Sequence, residues 1–334
     1  MTQSQQFEKV QYGAEASAYG TETASYTELS RVQSIDIRSE NGLIVDRGLG
    51  EGLNANNTYY GPFSCSGNTV FEVNDFTFLK HWVGNRTGTG TSGDKYTLTE
   101  ATSIQAAAAG AGIIQPFSVE RVNDTESTKN VEFALGCVGT DYTLSGSINS
   151  KLTCAANFIG RTSGYRATGE TYTPVTTAAF IMINGTWKWG ATPSSLAGVQ
   201  SFTINCNNGL VQNTRSIESR FLTIPLLGQR VYTFTVSIIM ATALATTIIN
   251  NFYGKSAGGV YTPEDGSTST SPTASLQFQI NLINSSRYAT IDIDESTINR
   301  ISKPSARDGG LSVLTFEGFA QKGTSNAPIK WWTV

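Results

Sequence analysis

Residues 29–43 read LSRVQSIDIRSENGL, and residues 196–210 read LAGVQSFTINCNNGL. The two stretches share Leu29/Leu196, Val32/Val199, Gln33/Gln200, Ser34/Ser201, Ile37/Ile204, Asn41/Asn208, Gly42/Gly209 and Leu43/Leu210, which is 8 identities in 15 ungapped positions. Their offset is 196 − 29 = 167, and twice 167 is 334, the chain length. Repeats of this kind set the fold before any local reading does. The match predicts a duplicated module, one copy over 1–167 and the other over 168–334. In each copy a strand runs into Asn-Gly, as Asn41-Gly42 and Asn208-Gly209. Asn-Gly reaches positive φ at little cost, so both strands are expected to stop there in a tight turn.

Working outward, residues 44–63 are rich in Gly and Asn and read as a long loop, with a counterpart at 211–230. Loops of this length inside a compact module tend to be functional. A strand followed by a core helix is expected next in each copy: TVFEV then NDFTFLKHWVG, and VYTFTV then SIIMATALATTIINNFYG, with Phe71 matched to Phe234. Gly84 and Gly254 would supply left-handed caps. Alternating strands fill the remainder. The expected fold class is mainly β: two related antiparallel β-sandwich or barrel modules, each with one helix. The uncharged run 236–253 is broken by Thr and Asn, and its counterpart carries Asp75, Lys80 and His81. Neither is expected to span a membrane, and the first twenty residues do not read as a secretory leader.

Charged residues make up 15% of the chain, against roughly 25% in an ordinary soluble domain. With a net charge of −3 there is no basic field to grip nucleic acid. Two readings stand at this point: a turn-rich β protein of extracellular type, or a protein whose surface is covered by copies of itself. The single His81 lies beside Trp82 and reads as a buried, hydrogen-bonded histidine rather than a base. Asp292 and Asp294 in DIDE read as a solvated strand end, with a cation site as the alternative, since no glycine-bearing calcium loop surrounds them. GTGTSGDK (88–95) lacks the Gly-Lys-Ser/Thr ending of a phosphate loop. Cys65, Cys137, Cys154 and Cys206 form no CxxC pair and read as buried free thiols, with a Cys137–Cys154 pairing as the alternative. No catalytic residue, cofactor site or metal site is expected. Trp331 and Trp332 in KWWTV read as an arm docking into a neighbouring subunit, with an aromatic stacking platform as the alternative.

Several phrases stand in a telling order: EASAYGT (Glu15 to Thr21), GPF (61–63) ahead of WVG (82–84), ALGCVGTDYTLSGSINSKLTCAANFIGRT (134–162), and an Asn-Gly leading to VQSFTINCNNGL. In this order they resemble the tail tube proteins of tailed bacteriophages and archaeal viruses. The resemblance implies β-barrel or sandwich modules with a flanking helix, six to a ring, the rings stacked into a hollow tube. It implies a non-enzymatic virion tail component assembled in the host cytoplasm and not inserted in a membrane. The implied partners are other copies of the chain, a tape measure protein and transiting double-stranded DNA in the lumen, a sheath, and tail-end or baseplate proteins. Two modules per chain predict homotrimeric rings with pseudo-six-fold symmetry; homohexameric rings, one half decorating the outside, are the alternative. The long loop, with Asp46, Arg47, Glu51, Asn54, Asn57 and Tyr59, is the candidate inter-ring stacking element. The rival class is a secreted carbohydrate-binding or adhesin β-sandwich, favoured by the Ser/Thr/Asn content and the aromatic end. A hydrolase on a β scaffold lacks a catalytic cluster.

Overall fold

The computed structural model describes residues 8–333 apart from 16–17, 24, 30, 47–56, 107–109, 111, 124–129, 191–193, 196, 213, 241–247, 250–251, 258–259, 264–276, 285–286, 294, 303–311 and 322–328. The fold is mainly β and antiparallel. The first half contributes β1 (Glu8–Ala14), β2 (Tyr26–Glu28), β3 (Val32–Asp46), β4 (Asn57–Glu72), β5 (Phe117–Asn123), β6 (Asn130–Ser147), β7 (Thr153–Gly160) and β8 (Thr162–Arg166). The second contributes β9 (Thr186–Gly190), β10 (Ser194–Ser195), β11 (Val199–Asn207), β12 (Val231–Ile239), β13 (Gln277–Asn284), β14 (Arg287–Ile293), β15 (Glu295–Ser302), β16 (Val313–Gln321) and β17 (Ile329–Thr333). Strands of two to four residues lie between them.

One large sheet runs through both halves in the order β3-β4-β7-β6-β11-β12-β16-β15. A smaller sheet, β2-β1-β5-β6-β8, belongs to the first half, and another, β10-β9-β13-β14-β17, to the second. The long β6 serves both sheets of its half: its first residues pair with β5 and β8, its last with β7 and β11.

The pairing registers of the two halves coincide. Val32 lies opposite Phe71 and Val199 opposite Ile238, with a bulge directly after Val32 and after Val199. Cys154 faces Phe71 as Leu314 faces Ile238. Gly139–Phe158 and Asp141–Asn157 flank a bulge, as do Ile298–Gly318 and Arg300–Glu317. Val131 pairs with Val122 as Thr290 pairs with Asn281. Thus β3 and β4 map onto β11 and β12 at an offset of 167 (199 − 32 and 238 − 71), and β5 and β6 onto β13, β14 and β15 at 159 (290 − 131 and 298 − 139). Phe71 therefore matches Ile238, not the Phe234 expected from the sequence.

Alternation explains the faces. Along β12, Phe234, Val236 and Ile238 are buried while Thr233, Thr235 and Ser237 are not, and β11 repeats this with Phe202, Ile204 and Cys206. Period-two patterning with β-branched residues makes strands. Each small sheet packs on the apolar face of the large one: Phe117 lies 5.6 Å from Phe158, and Trp189 lies 5.4 Å from Phe316 and 6.1 Å from Phe234.

Of the two expected core helices, the first is corrected and the second keeps helical residues at 248–249 and 252–253 but loses its start and its glycine cap. Residues 236–239 continue β12, because the alternation runs on through Ile238. Beyond the strand, Ile248, Ile249, Phe252 and Tyr253 are helical and Gly254 begins a short strand, so it is not a cap. In the first half a single 3-10 turn forms among the described residues, Phe78–His81. Ahead of it Asn74 Oδ1 accepts from Asp75 N at 2.9 Å and Asp75 Oδ1 from Thr77 N at 2.8 Å; such local bonds compete with a helix start. Phe76, Phe78, Leu79, Trp82 and Val83 are all buried, so the segment is a plug, not an amphipathic helix. Gly84 follows it at φ +143°.

Trp82 is the centre of that plug. Its Nε1 donates to Asn157 O at 2.8 Å, its ring lies 4.6 Å from Phe78 and 5.4 Å from Phe117, and a Cβ on Gly139 would enter the ring. No helix among the described residues is long and apolar enough to cross a membrane. Trp82→Ala is expected to lower the unfolding free energy by about 3–5 kcal/mol, read as a reduced urea midpoint of the dissociated chain.

Candidate assembly surface

The large sheet ends in two strands, β3 and β15, each paired on one side only among the described residues. Unpaired strand edges are templates for another strand. Inside the chain, two strands of the same standing have met: β6 pairs with β11 with Asp141 opposite Asn207, Tyr142 opposite Cys206 and Ser147 opposite Ser201. Across this junction Thr143 Oγ1 donates to Asn205 Oδ1 at 2.7 Å.

The sheet face away from the core is polar. One row across the sheet runs Ser34, Val70, Ala155, Thr143, Asn205, Thr233 and Phe319, and the next runs Thr153, Ser145, Thr203, Thr235 and Glu317. Its charged groups include Asp36, Glu40, Glu72, Asp141 and Glu317 with Arg31, Arg38, Lys151 and Arg300, so acidic and basic groups nearly balance. Asp36 and Arg38 pair at 2.5 Å, and Arg300 lies 3.7 Å from Glu317.

The Asn-Gly turns of the two halves differ. β11 does stop at Asn207, and Gly209 follows at φ +55°. β3 does not stop: it bulges between Asn41 and Leu43 and runs on to Asp46, opposite a β4 that starts at Asn57. The expected loop 44–63 is therefore largely a hairpin arm, because Leu43, Ile44 and Val45 face the β-formers Thr58, Tyr59 and Tyr60 across a ladder. Asp46 and Asn57 are its last paired residues and Tyr59 sits on its ladder; Arg47, Glu51 and Asn54 lie outside the described residues. Leu43 is 62% exposed and Tyr60 72%. Ile44, Val45 and Tyr59 are exposed beside them. In the second half a single bridge, Val211–Leu226, stands where Ile44–Tyr59 stands in the first. Residues 214–223 there fold back to brace the arm: Phe63 N donates to Arg220 O at 2.9 Å, Arg215 donates to Phe63 O at 2.9 Å, and Arg220 also reaches Asn41 Oδ1.

Asn208, by contrast, is buried. Its Nδ2 donates to Trp82 O at 2.8 Å and Gly139 O at 2.9 Å, and its Oδ1 accepts from Arg230 Nε at 2.8 Å. It ties the end of β11 to the Trp82 plug and the β6 bulge. The EASAYGT phrase forms a second tie at the same strand. Glu15 accepts from Gly20 N at 2.8 Å, Gly136 N at 2.6 Å and Ser118 Oγ at 3.2 Å. Gly136 has φ +65°, and Arg161 lies over the Tyr19 ring. Both phrases are structural.

The remaining candidates are dispersed through the fold. His81 is fully buried, its Nδ1 2.6 Å from Gln115 O, and burial with Lys80 nearby pushes its pKa well below the ordinary value. All four cysteines are buried and free; Cys154 lies opposite Leu144, not Cys137, and burial pushes both of these thiols up. Asp292 pairs with Gln279 in β14–β13, and Asp294 lies outside the described residues. No group of three metal-binding side chains occurs among the described residues. Trp331 and Trp332 lie in β17, whose backbone pairs with β14 on one side and with residues 96–98 on the other. They belong to a central strand of the chain's own sheet rather than to a protruding arm.

A family model described as phage tail tube protein matches residues 8–318. Among solved structures, a chain from the virion of native gene transfer agent (GTA) particle is similar at 13% identity over 45% of this chain and 95% of that one, with a TM-score of 0.28. No curated protein matches.

Burial pushes the Glu15 carboxyl up to about 7, against the hydrogen bonds that favour its ionised form. Its folded value lies above its unfolded one, so its contribution to stability is full below the unfolded value and is lost as pH rises through about 7. The thermal midpoint should therefore show a falling component between pH 4.5 and 7.5 that Glu15→Gln flattens, followed by circular dichroism.

Proposed function

The chain belongs to the phage tail tube protein family, a structural component of the virion tail, and on that premise we propose that three copies close into a ring of six related modules whose stacked rings conduct viral DNA. The two halves are read as copies of one module, divided near residue 167. The observation that carries this reading is the coincidence of strand register, including two bulges, between the halves.

Size favours three copies. Each chain brings eight strands to the large sheet. At about 4.8 Å per strand, closing 8, 16 or 24 strands gives backbone diameters of about 12, 24 or 37 Å, and lining side chains remove about 10 Å. Strand tilt widens each figure by about a quarter. Two copies still leave no clearance for a double helix about 20 Å across, whereas three leave several ångströms on each side. Six copies contributing every strand would leave a bore far wider than the cargo.

The polar face of the large sheet would line the bore. DNA carries one charge per roughly 1.7 Å, so a basic wall would hold it, while Ser, Thr and Asn with nearly balanced charges let it slide. The hairpin arm, with Leu43, Ile44, Tyr59 and Tyr60, would reach the next ring, the contact being heterologous and open-ended along the axis. Tape measure protein and DNA would occupy the lumen, with sheath and tail-end proteins as external partners and assembly in the host cytoplasm. No turnover is part of this role.

Helical reconstruction or native mass spectrometry of the assembled protein is expected to give three chains per ring; six chains per ring would overturn the trimer. Removing residues 47–56 and joining Asp46 to Asn57 through a two-residue turn should leave a folded, soluble chain that forms no long tubes. Normal tubes from that variant in negative-stain micrographs would remove residues 47–56 from ring stacking and leave Leu43, Ile44, Tyr59 and Tyr60 as its contact.

A further inference from the structure

We propose that the open edge of β15 pairs antiparallel with the open edge of β3 in a second copy of this chain, with Arg300 opposite Glu40, Ile301 opposite Ser39 and Ser302 opposite Arg38. This deepens the ring reading above and rests on it.

The chain already contains this contact once. Where β6 meets β11, Asp141 lies opposite Asn207, Tyr142 opposite Cys206 and Thr143 opposite Asn205. β15 holds in the second half the place that the end of β6 holds in the first: Asp141 faces Asn157 just past a bulge, and Arg300 faces Glu317 just past a bulge. β3 holds the place of β11, sharing its register on the neighbouring strand and its bulge. Carrying the junction outward by these offsets turns Asp141 into 141 + 159 = 300 and Asn207 into 207 − 167 = 40. The same step takes Thr143–Asn205 to Ser302–Arg38.

The side chains agree with that register. Glu40 and Arg300 are both exposed and carry opposite charges on the same face of the sheet. Arg300 lies 3.7 Å from Glu317 on its inner side, so Glu40 of the next copy would complete a carboxylate–guanidinium–carboxylate row. Opposite charges directly across a strand pair stabilise it, and like charges destabilise it. On the other face, Tyr142 and Cys206 are buried at the internal junction, and Ile301, packed on the core cluster, occupies the matching position. A slip by one residue would turn Ile301 to the polar face. Each copy has one edge of each kind, so the contact is heterologous and repeats until the ring closes.

The test uses the full chain with paired cysteines. Ser302→Cys with Arg38→Cys is expected to give, after assembly and mild oxidation, a covalent ladder ending at three chains on a non-reducing gel. Ser302→Cys with Ser34→Cys, four residues out of register, should give none. Separately, Glu40→Arg should lose sedimentable tubes while keeping the wild-type circular dichroism, and adding Arg300→Glu should restore them. Tubes that form without the in-register crosslink, or with the out-of-register one, or a charge exchange that does not rescue, would overturn this register and leave the ring reading standing. A wild-type chain that forms neither rings nor tubes would overturn both.

Discussion

Every strand of an antiparallel sheet carries two rows of backbone N–H and C=O groups, and a row without partners is costly to bury and open to any other strand. Between the two halves of this chain that requirement is met by β6 and β11, two strands that would each be an edge if its half stood alone. Their pairing makes one eight-stranded sheet out of two four-stranded ones. It also leaves β3 and β15 as edges of the same two kinds that have already combined.

The junction depends on how β6 is held. It crosses from the small sheet to the large one, and a strand can change sheets only by breaking its register. The break falls at Gly136 and between Gly139 and Asp141. Three groups secure it: Glu15 bonds Gly136 N, the Trp82 ring lies on Gly139, and Asn208 bonds Gly139 O. Any side chain larger than hydrogen at Gly139 would displace Trp82, so the aromatic plug and the bend in β6 are set together. In the second half the same crossing is divided between β14 and β15.

The low charge follows from this arrangement. One face of the large sheet is covered by the small sheets and the aromatic core, which needs apolar residues. The other is a field of Ser, Thr and Asn whose hydroxyl and amide groups bond across strands, as Thr143 does to Asn205 and Ser237 Oγ to Thr315 Oγ1 at 3.0 Å. Neither face needs the dense charge of an ordinary solvated surface. Leu43, Ile44, Val45, Tyr59 and Tyr60 are exposed together on the arm beyond Asn41, where the strands outrun the sheet.

The sequence by itself determined the β class, the buried state of His81 and the thiols, and the family resemblance, because period-two alternation and the order of short phrases are local signals. It misplaced what depends on neighbours. Residues 236–239 looked like the start of an apolar helix, but continued pairing with β11 and β16 keeps them in a strand. Asn41-Gly42 and Asn208-Gly209 look alike, yet one lies within a bulged strand and the other ends one, since β4 offers a partner beyond Leu43 and the second half offers only the Val211–Leu226 bridge. The matching of Phe71 with Ile238, the plug made by Trp82 and the two open edges were visible only in the tertiary structure. Register is a relation between strands far apart in the chain, and no single segment encodes which neighbour will satisfy its backbone.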